Sequence, residues 1–145
     1  MRNLTATFCL TLAVLLVITG CGNTLRKLEP LAKQGDATAQ YNLGTMYQYG
    51  QGVTRNHQTA VKWYTLAAEQ GNVIAQGKLG VMYALGDGVI RDNVYAHMWG
   101  NLGASNGNKN GAKLRDSVAK RMTPADVSKA QRLAQKCVKK SYKGC

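Results

Sequence analysis

The stretch AQYNLGTMYQYGQGV at residues 39–53 recurs as AQGKLGVMYALGDGV at residues 75–89. When residues 35–70 are aligned with residues 71–106, the two segments share 15 identities in 36 positions without a gap. A repeat period of this length is typical of proteins in which each unit is a short supersecondary element stacked on its neighbours. The sequence therefore predicts a repeat protein, and its length of 145 residues allows one compact domain.

The first half of each unit has the spacing of an amphipathic helix, which we call helix A. Ala39, Leu43, Met46, Tyr47 and Gly50 fall on one side of a helix because each residue advances by about 100°. The glycines that follow, in GQGV at 50–53 and GDGV at 86–89, can adopt the positive φ of a tight turn. Helix A is therefore predicted to end at these glycines.

The second half of each unit predicts a second helix, which we call helix B. Asn56 and Asp92 are good N-cap residues at its start. The stripe of helix B includes Ala60, Trp63 and Leu66 in the first unit. We expect the aromatic residues to fill the space between helices, and these are Trp63, Trp99, Tyr47 and Tyr83.

These patterns resemble a known family. Ala-Gln-x-x-Leu-Gly-x-x-Tyr, then Gly-x-Gly-Val, then Ala-x-x-Trp, is similar to the Sel1-like repeat, a relative of the tetratricopeptide helix pairs. The resemblance implies an all-α fold, a short right-handed α-solenoid. It divides the chain into an N-terminal half repeat at 21–34, repeats at 35–70 and 71–106, and a degenerate repeat with a basic C-terminal capping helix at 107–145.

The last helix has a clear start signal. Thr123 is a good N-cap, Pro124 suits the first helical position, and Asp126 favours the positive end of the helix dipole. We expect this helix to pack on the stack through apolar residues at helical spacing, which are Val127, Ala130, Leu133, Ala134 and Val138.

The N-terminus predicts export. Residues 1–20 have a short positive start and a mainly apolar run that is short for a bilayer-spanning helix, as in a secretory signal peptide. The segment Ile18-Thr19-Gly20-Cys21 resembles a bacterial lipobox, which implies cleavage before Cys21 and lipidation of its thiol; ordinary secretion is the alternative. The expected location is the bacterial cell envelope, as a periplasm-facing lipoprotein of the outer membrane.

The cysteines agree with an oxidising compartment. Removal of Cys9 and acylation of Cys21 would leave Cys137 and Cys145, which we expect to form a disulfide, the alternative being two unbridged thiols. A metal site is disfavoured because His57 and His97 lie far from this pair in sequence. Each histidine is predicted to lie at the surface or at a helix edge, and no cofactor is expected.

Positive charge is concentrated at the C-terminal end. Residues 106–145 hold 11 basic and 2 acidic residues, whereas the whole chain carries a formal charge of +12. This part is either a solvated face or a surface that binds an anionic component of the envelope. Nucleic acid is a less favoured partner because no recognition motif accompanies the charge.

The sequence contains no catalytic motif that we recognise, neither a Gly-x-Ser-x-Gly elbow, nor a phosphate-binding glycine loop, nor His-Glu-x-x-His. The predicted function is a non-catalytic protein–protein interaction module that acts as an adaptor or scaffold. The alternative is an envelope enzyme or binder acting on β-lactams or cell-wall fragments, as in cysteine-rich Sel1-like proteins. Those proteins carry a cysteine pair in every repeat, and the repeats of this chain carry none.

The binding surface is predicted from the side of helix A opposite to the repeated residues. In related solenoids this stripe lines the concave surface, and exposed Tyr and Arg are favoured anchors in interfaces. Packing of Tyr41 and Tyr49 on the N-terminal half repeat is the alternative. The predicted site for a protein or peptide partner comprises Tyr41, Thr45, Gln48, Tyr49, Lys78, Val81, Leu85, Lys113, Ser117, Lys120 and Arg121.

Overall fold

The computed structural model describes residues 24–145, which form seven helices and no strand. The predicted signal peptide and the lipidation of Cys21 lie outside these residues. None of the helices within residues 24–145 is both long and apolar enough to span a bilayer. The described part of the chain is thus a short α-solenoid, as predicted.

The helices alternate as the repeat requires. A helix at residues 24–33 (α1) is the half repeat, and two A–B pairs and a final pair follow it. These are α2 (Ala37–Tyr49) and α3 (His57–Ala68), α4 (Val73–Leu85) and α5 (Asn93–Ser105), and α6 (Lys109–Ala119) and α7 (Pro124–Lys139).

The predicted helix boundaries are confirmed at several positions. Asn56 caps α3 by accepting a hydrogen bond from the backbone N–H of Thr59, and Asp92 caps α5 in the same manner. Gly50 and Gly86 end α2 and α4 in the left-handed conformation, with φ of 70° and 81°. Because these residues satisfy backbone groups at the helix ends, the repeat fixes where each helix starts and stops.

A buried glutamine joins each repeat to the one before it. Gln40 Nε2 donates to the carbonyl oxygen of Ala32 at 3.0 Å, and Gln76 Nε2 donates to that of Ala68 at 3.3 Å. Both glutamines also accept, Gln40 from Gln70 and Gln76 from Asn106. The next equivalent position is Ala112, which has no side-chain amide, so this series of hydrogen bonds ends where the sequence predicts a degenerate repeat.

The core differs from the prediction in its aromatic residues. Trp99 is buried as expected, but Trp63 is only half-buried, and the neighbouring Tyr64 is fully buried instead. Tyr64 fits because Gly44 faces it, where a Cβ would lie 2.6 Å from the Tyr64 ring. Leu66 was also placed in the core stripe, and it is exposed.

The last helix packs on α5 and is closed by a disulfide. Thr123 and Pro124 start α7 as predicted, and Ala130 and Ala134 are buried, whereas Val138 is exposed. Cys137 and Cys145 form a disulfide, with Cα atoms 5.5 Å apart. The disulfide prediction is thereby confirmed, and the expected packing of Val138 is wrong because Cys137 takes the buried position.

The closed C-terminal loop contacts the repeats. Tyr142 Oη and the side-chain amide of Asn106 are hydrogen-bonded at 3.2 Å, and the Tyr142 ring lies against Gly71. The backbone N–H of Gly144 donates to Glu69 Oε1 at 3.0 Å. The loop therefore spans two turns between successive repeats.

Candidate partner-binding surface

Four side chains of α4 form one exposed row. Ile74, Lys78, Val81 and Leu85 are spaced by four, three and four residues, which places them on one side of the helix. The three apolar members are exposed, and Leu85 has 65% of its surface accessible. Aligned apolar groups of this kind are typical of surfaces that bind another molecule. We call these four residues the α4 face; the sequence prediction omitted Ile74, although its spacing from Lys78 indicates it.

Tyr49 extends the α4 face onto α2. Lys78 Nζ donates a hydrogen bond to Tyr49 Oη at 3.0 Å and lies 5.3 Å from the centroid of the Tyr49 ring. The ring itself remains 55% exposed. The contact orients an amphipathic aromatic side chain beside the apolar row, and such side chains are common anchors in protein interfaces.

Three predicted site residues of α2, which are Tyr41, Thr45 and Gln48, contact the buried Tyr64 of α3. Tyr64 Oη donates to Gln48 Oε1 at 2.7 Å and lies 3.2 Å from Thr45 Oγ1. The ring of Tyr41 packs on that of Tyr64, with centroids 5.8 Å apart. Burial raises the pKa of Tyr64 to about 12, so its hydroxyl remains a donor at neutral pH. Tyr41 therefore contacts α3, and Tyr49 contacts α4 through Lys78.

A pocket of about 160 Å³ opens beside the α4 face, lined by residues of α4 and of the start of α6. Gly77 gives it depth, since a Cβ there would lie 2.6 Å from Asn108 Nδ2. Asn108 is held in place because its amide donates to the carbonyl oxygen of Val73 and its oxygen caps α6. The lining residues are Ile74, Gly77, Lys78, Val81, Asn108 and Asn110.

The predicted site residues on α6 and just after it are exposed but lie outside this pocket. Lys113, Ser117, Lys120 and Arg121 are all exposed. Within the described residues, the lining reaches α6 only at its cap Asn108 and at Asn110. The two asparagines are the polar groups that the sequence analysis missed, because their role depends on how closely α6 approaches α4.

The two histidines differ from each other. His57 is half-buried, with Nδ1 3.9 Å from Asp87 Oδ1. His97 was predicted at the surface or at a helix edge, and this is wrong, because α5 packs between α4, α6 and α7 and leaves His97 only 3% exposed. Burial, and the nearby Arg115, lower the pKa of His97. Among residues 24–145, no three His, Cys, Asp or Glu residues are grouped as metal ligands.

Stacked helix pairs joined by repeated hydrogen bonds define the described part of this protein as a short α-solenoid. The Sel1 repeat profile matches residues 37–72 and 73–108. A Sel1 repeat protein from Oxalobacter formigenes is 36% identical in sequence, with a TM-score of 0.62. The alignment covers 64% of this chain and 70% of the Oxalobacter protein. The chain belongs to the Sel1 repeat family, whose repeats generally mediate protein–protein interactions.

Two longer proteins share the repeats. A protective antigen of uropathogenic Escherichia coli with an SLR fold is 32% identical, with a TM-score of 0.77; the alignment covers 81% of this chain and 26% of the antigen. A putative Sel1-like repeat-containing protein from Acanthamoeba polyphaga mimivirus is 54% identical over 37 residues, which are 26% of this chain and 6% of the viral protein. This chain thus corresponds to a small part of both relatives.

Proposed function

We propose that this protein is a non-catalytic interaction module of the bacterial cell envelope and that it binds a protein or peptide through the α4 face and Tyr49. The observation that supports this most strongly is the exposure of Tyr49, Val81 and Leu85, with Tyr49 joined to the α4 face by its contact with Lys78. A chain that placed an apolar side chain in the adjacent pocket would bury these groups, which is the usual source of binding energy at hot spots.

The chemistry of the pocket supports binding rather than catalysis. Lys78 is the one titratable side chain in its lining, and Tyr49 already holds the ammonium group of Lys78. Asn108 and Asn110 add amide groups, which suit hydrogen bonding to a peptide backbone. At about 160 Å³ the pocket is smaller than the roughly 300–1,000 Å³ of sites that enclose a drug-sized ligand such as a β-lactam.

The envelope location rests on two observations. The first is the lipobox-like sequence that ends at Cys21. The second is the disulfide between Cys137 and Cys145, since disulfides persist in oxidising compartments. We expect metabolic fatty-acid labelling of the protein in bacterial cells, and the label should vanish in Cys21→Ser. A label that survives this substitution would contradict lipidation at Cys21.

Site-directed crosslinking in living cells tests the proposed surface. A photoreactive amino acid at Leu85 should capture one defined protein, whereas the same amino acid at Ile90 should not. Ile90 is the stricter control because it is 90% exposed, more than Leu85, yet it does not belong to the α4 face. Equal capture at both positions would indicate random collision and contradict the proposal.

A further inference from the structure

A row of basic side chains follows the outer side of α7. Lys129, Arg132, Lys136, Lys139 and Lys140 are exposed, and at 100° per residue they fall within an arc of about 100°. From Lys129 to Lys140 the row is about 17 Å long. We call these five residues the α7 stripe.

The α7 stripe is not neutralised by its own chain. Within residues 24–145 the ion pairs are Lys33 with Glu29, Arg115 with Asp116, and His57 with Asp87. Asp126, the acidic residue of α7, is hydrogen-bonded to Thr123 at the start of the helix. The five charges of the stripe therefore face solvent without an ion-pair partner among the described residues.

The opposite side of α7 is already used. Ala130, Ala134 and Cys137 are buried, and α7 packs on α5. The helix therefore has no spare apolar side that could insert between lipid chains, as an amphipathic membrane helix does. Any ligand of the stripe must be bound by charge at its surface.

The composition of the stripe indicates the class of ligand. Four of its five members are lysines, which act as point charges, whereas specific phosphate recognition favours arginine forks. α7 contains no aromatic residue to stack on bases or to anchor a protein interface. A long, lysine-rich row without aromatic anchors fits a fluid anionic surface better than a folded partner.

We propose that the α7 stripe docks the protein on the anionic headgroups of a lipid bilayer. A basic row close to an anionic bilayer adds electrostatic attraction to any lipid anchor that the chain carries. Each Lys or Arg close to an anionic bilayer strengthens association by a factor of about five. The stripe is separate from the α4 face, so this proposal stands or falls independently of the proposed partner binding.

The test measures the acetylation rates of individual lysines in the full chain mixed with vesicles. One set of vesicles contains phosphatidylcholine alone, and the other contains phosphatidylcholine and phosphatidylglycerol in equal parts. On the anionic vesicles we expect a several-fold slower reaction of the four lysines of the stripe, which are Lys129, Lys136, Lys139 and Lys140. Lys62 lies outside the stripe and should react equally fast with both sets of vesicles. Raising the salt to about 1 M, where the Debye length is about 3 Å, should remove the difference.

A matched pair of variants completes the test. Lys129→Gln, Arg132→Gln and Lys136→Gln together should weaken docking roughly 100-fold and abolish the protection of Lys139 and Lys140. Lys27→Gln, Arg55→Gln and Lys62→Gln remove the same charge from other exposed positions and should leave the protection intact. Both triple variants change exposed side chains only, and circular dichroism should show one helix content for both.

Three results would overturn the proposal. The first is equal slowing of Lys62, which would indicate a general effect of net charge. The second is equal loss of protection in the two triple variants. The third is protection by soluble polyglutamate with none on the anionic vesicles, which would assign the stripe to an acidic polymer instead of a membrane.

Discussion

Tyr64 Oη donates a hydrogen bond to Gln48 Oε1 at 2.7 Å, which ties helix α3 to the helix that carries Tyr49. Loss of this hydroxyl would leave Gln48 without its donor. We expect Tyr64→Phe to lower the free energy of unfolding by about 0.5–1.5 kcal/mol. Urea unfolding measures this value, and Tyr49→Phe, which removes an exposed hydroxyl, is the control. An equal effect of both substitutions would show that burial of the Tyr64 hydroxyl is unimportant.

The raised pKa of Tyr64 also predicts an alkaline effect. Burial favours the neutral hydroxyl and raises the pKa from 10.0 to about 12 in the folded protein. The stabilisation linked to this group is therefore complete below pH 10 and is lost as the pH rises towards 12. Wild type should lose more stability than Tyr64→Phe over this range. Parallel curves for the two proteins would contradict the assignment.

Close packing of α5 and α6 predicts opposite effects of two glycine substitutions. A Cβ at Gly111 would lie 2.9 Å from the carbonyl oxygen of Gly100, a backbone atom, whereas a Cβ at Gly103 would meet nothing closer than 3.6 Å. We expect Gly111→Ala to destabilise by about 1–3 kcal/mol. Gly103→Ala should be neutral or stabilise by up to about 1 kcal/mol because alanine favours helix. Thermal unfolding of both variants measures the difference, and a stable Gly111→Ala would contradict the close approach.

The burial of His97 predicts sensitivity to acid. Burial, and secondarily Arg115, lower the pKa of this imidazole below its ordinary 6.5, against a smaller opposing effect of Asp116. The neutral imidazole is thus favoured in the folded protein, and its contribution is present above pH 6.5 and is lost as the pH falls through the lowered pKa. The Cε1 proton of His97 should titrate below pH 6.5 in NMR spectra. Titration at or above this pH would place the ring in water.

Loss of the disulfide should affect the C-terminal loop more than the solenoid. The bond joins two cysteines that are eight residues apart and so closes a short loop. Its loss should therefore lower the free energy of unfolding by at most about 2–3 kcal/mol. In Cys145→Ser we expect faster hydrogen exchange at Tyr142 and Gly144, and at the turn near Gly71 that they contact. The amides of α2 should exchange as in the wild type. Unfolding of the whole chain on reduction would show that the loop holds the solenoid together.

The repeat in the sequence predicts the helices and their ends because both depend on local chemistry. Asn56, Asp92, Gly50 and Gly86 act on backbone groups within a few residues, so each can be interpreted without knowledge of the rest of the fold. The disulfide was predictable for a different reason, since removal of Cys9 and acylation of Cys21 would leave one cysteine pair, eight residues apart.

Contacts between different repeats were harder to predict. Tyr64 is aligned with Gly100 and His97 with Val61, so the repeat itself contains no signal for the burial of either side chain. Gly44 is repeated as Gly80, yet only Gly44 has a tyrosine packed against it, and the burial of His97 depends on the helices around α5. For the same reason the binding surface was predicted only in part. Asn108 and Asn110 belong to it because α6 approaches α4, which the sequence does not indicate.

Partner affinity tests the central claim most directly. Once crosslinking at Leu85 has identified the partner, calorimetry should compare the wild type with Tyr49→Ala combined with Leu85→Ala. We predict a loss of about 2 kcal/mol or more, which is a rise in Kd of roughly 30-fold. Leu66→Ala, which truncates an exposed leucine of α3 away from the α4 face, should leave Kd unchanged. An unchanged Kd in the double variant, or an equal rise in Leu66→Ala, would contradict binding through the α4 face.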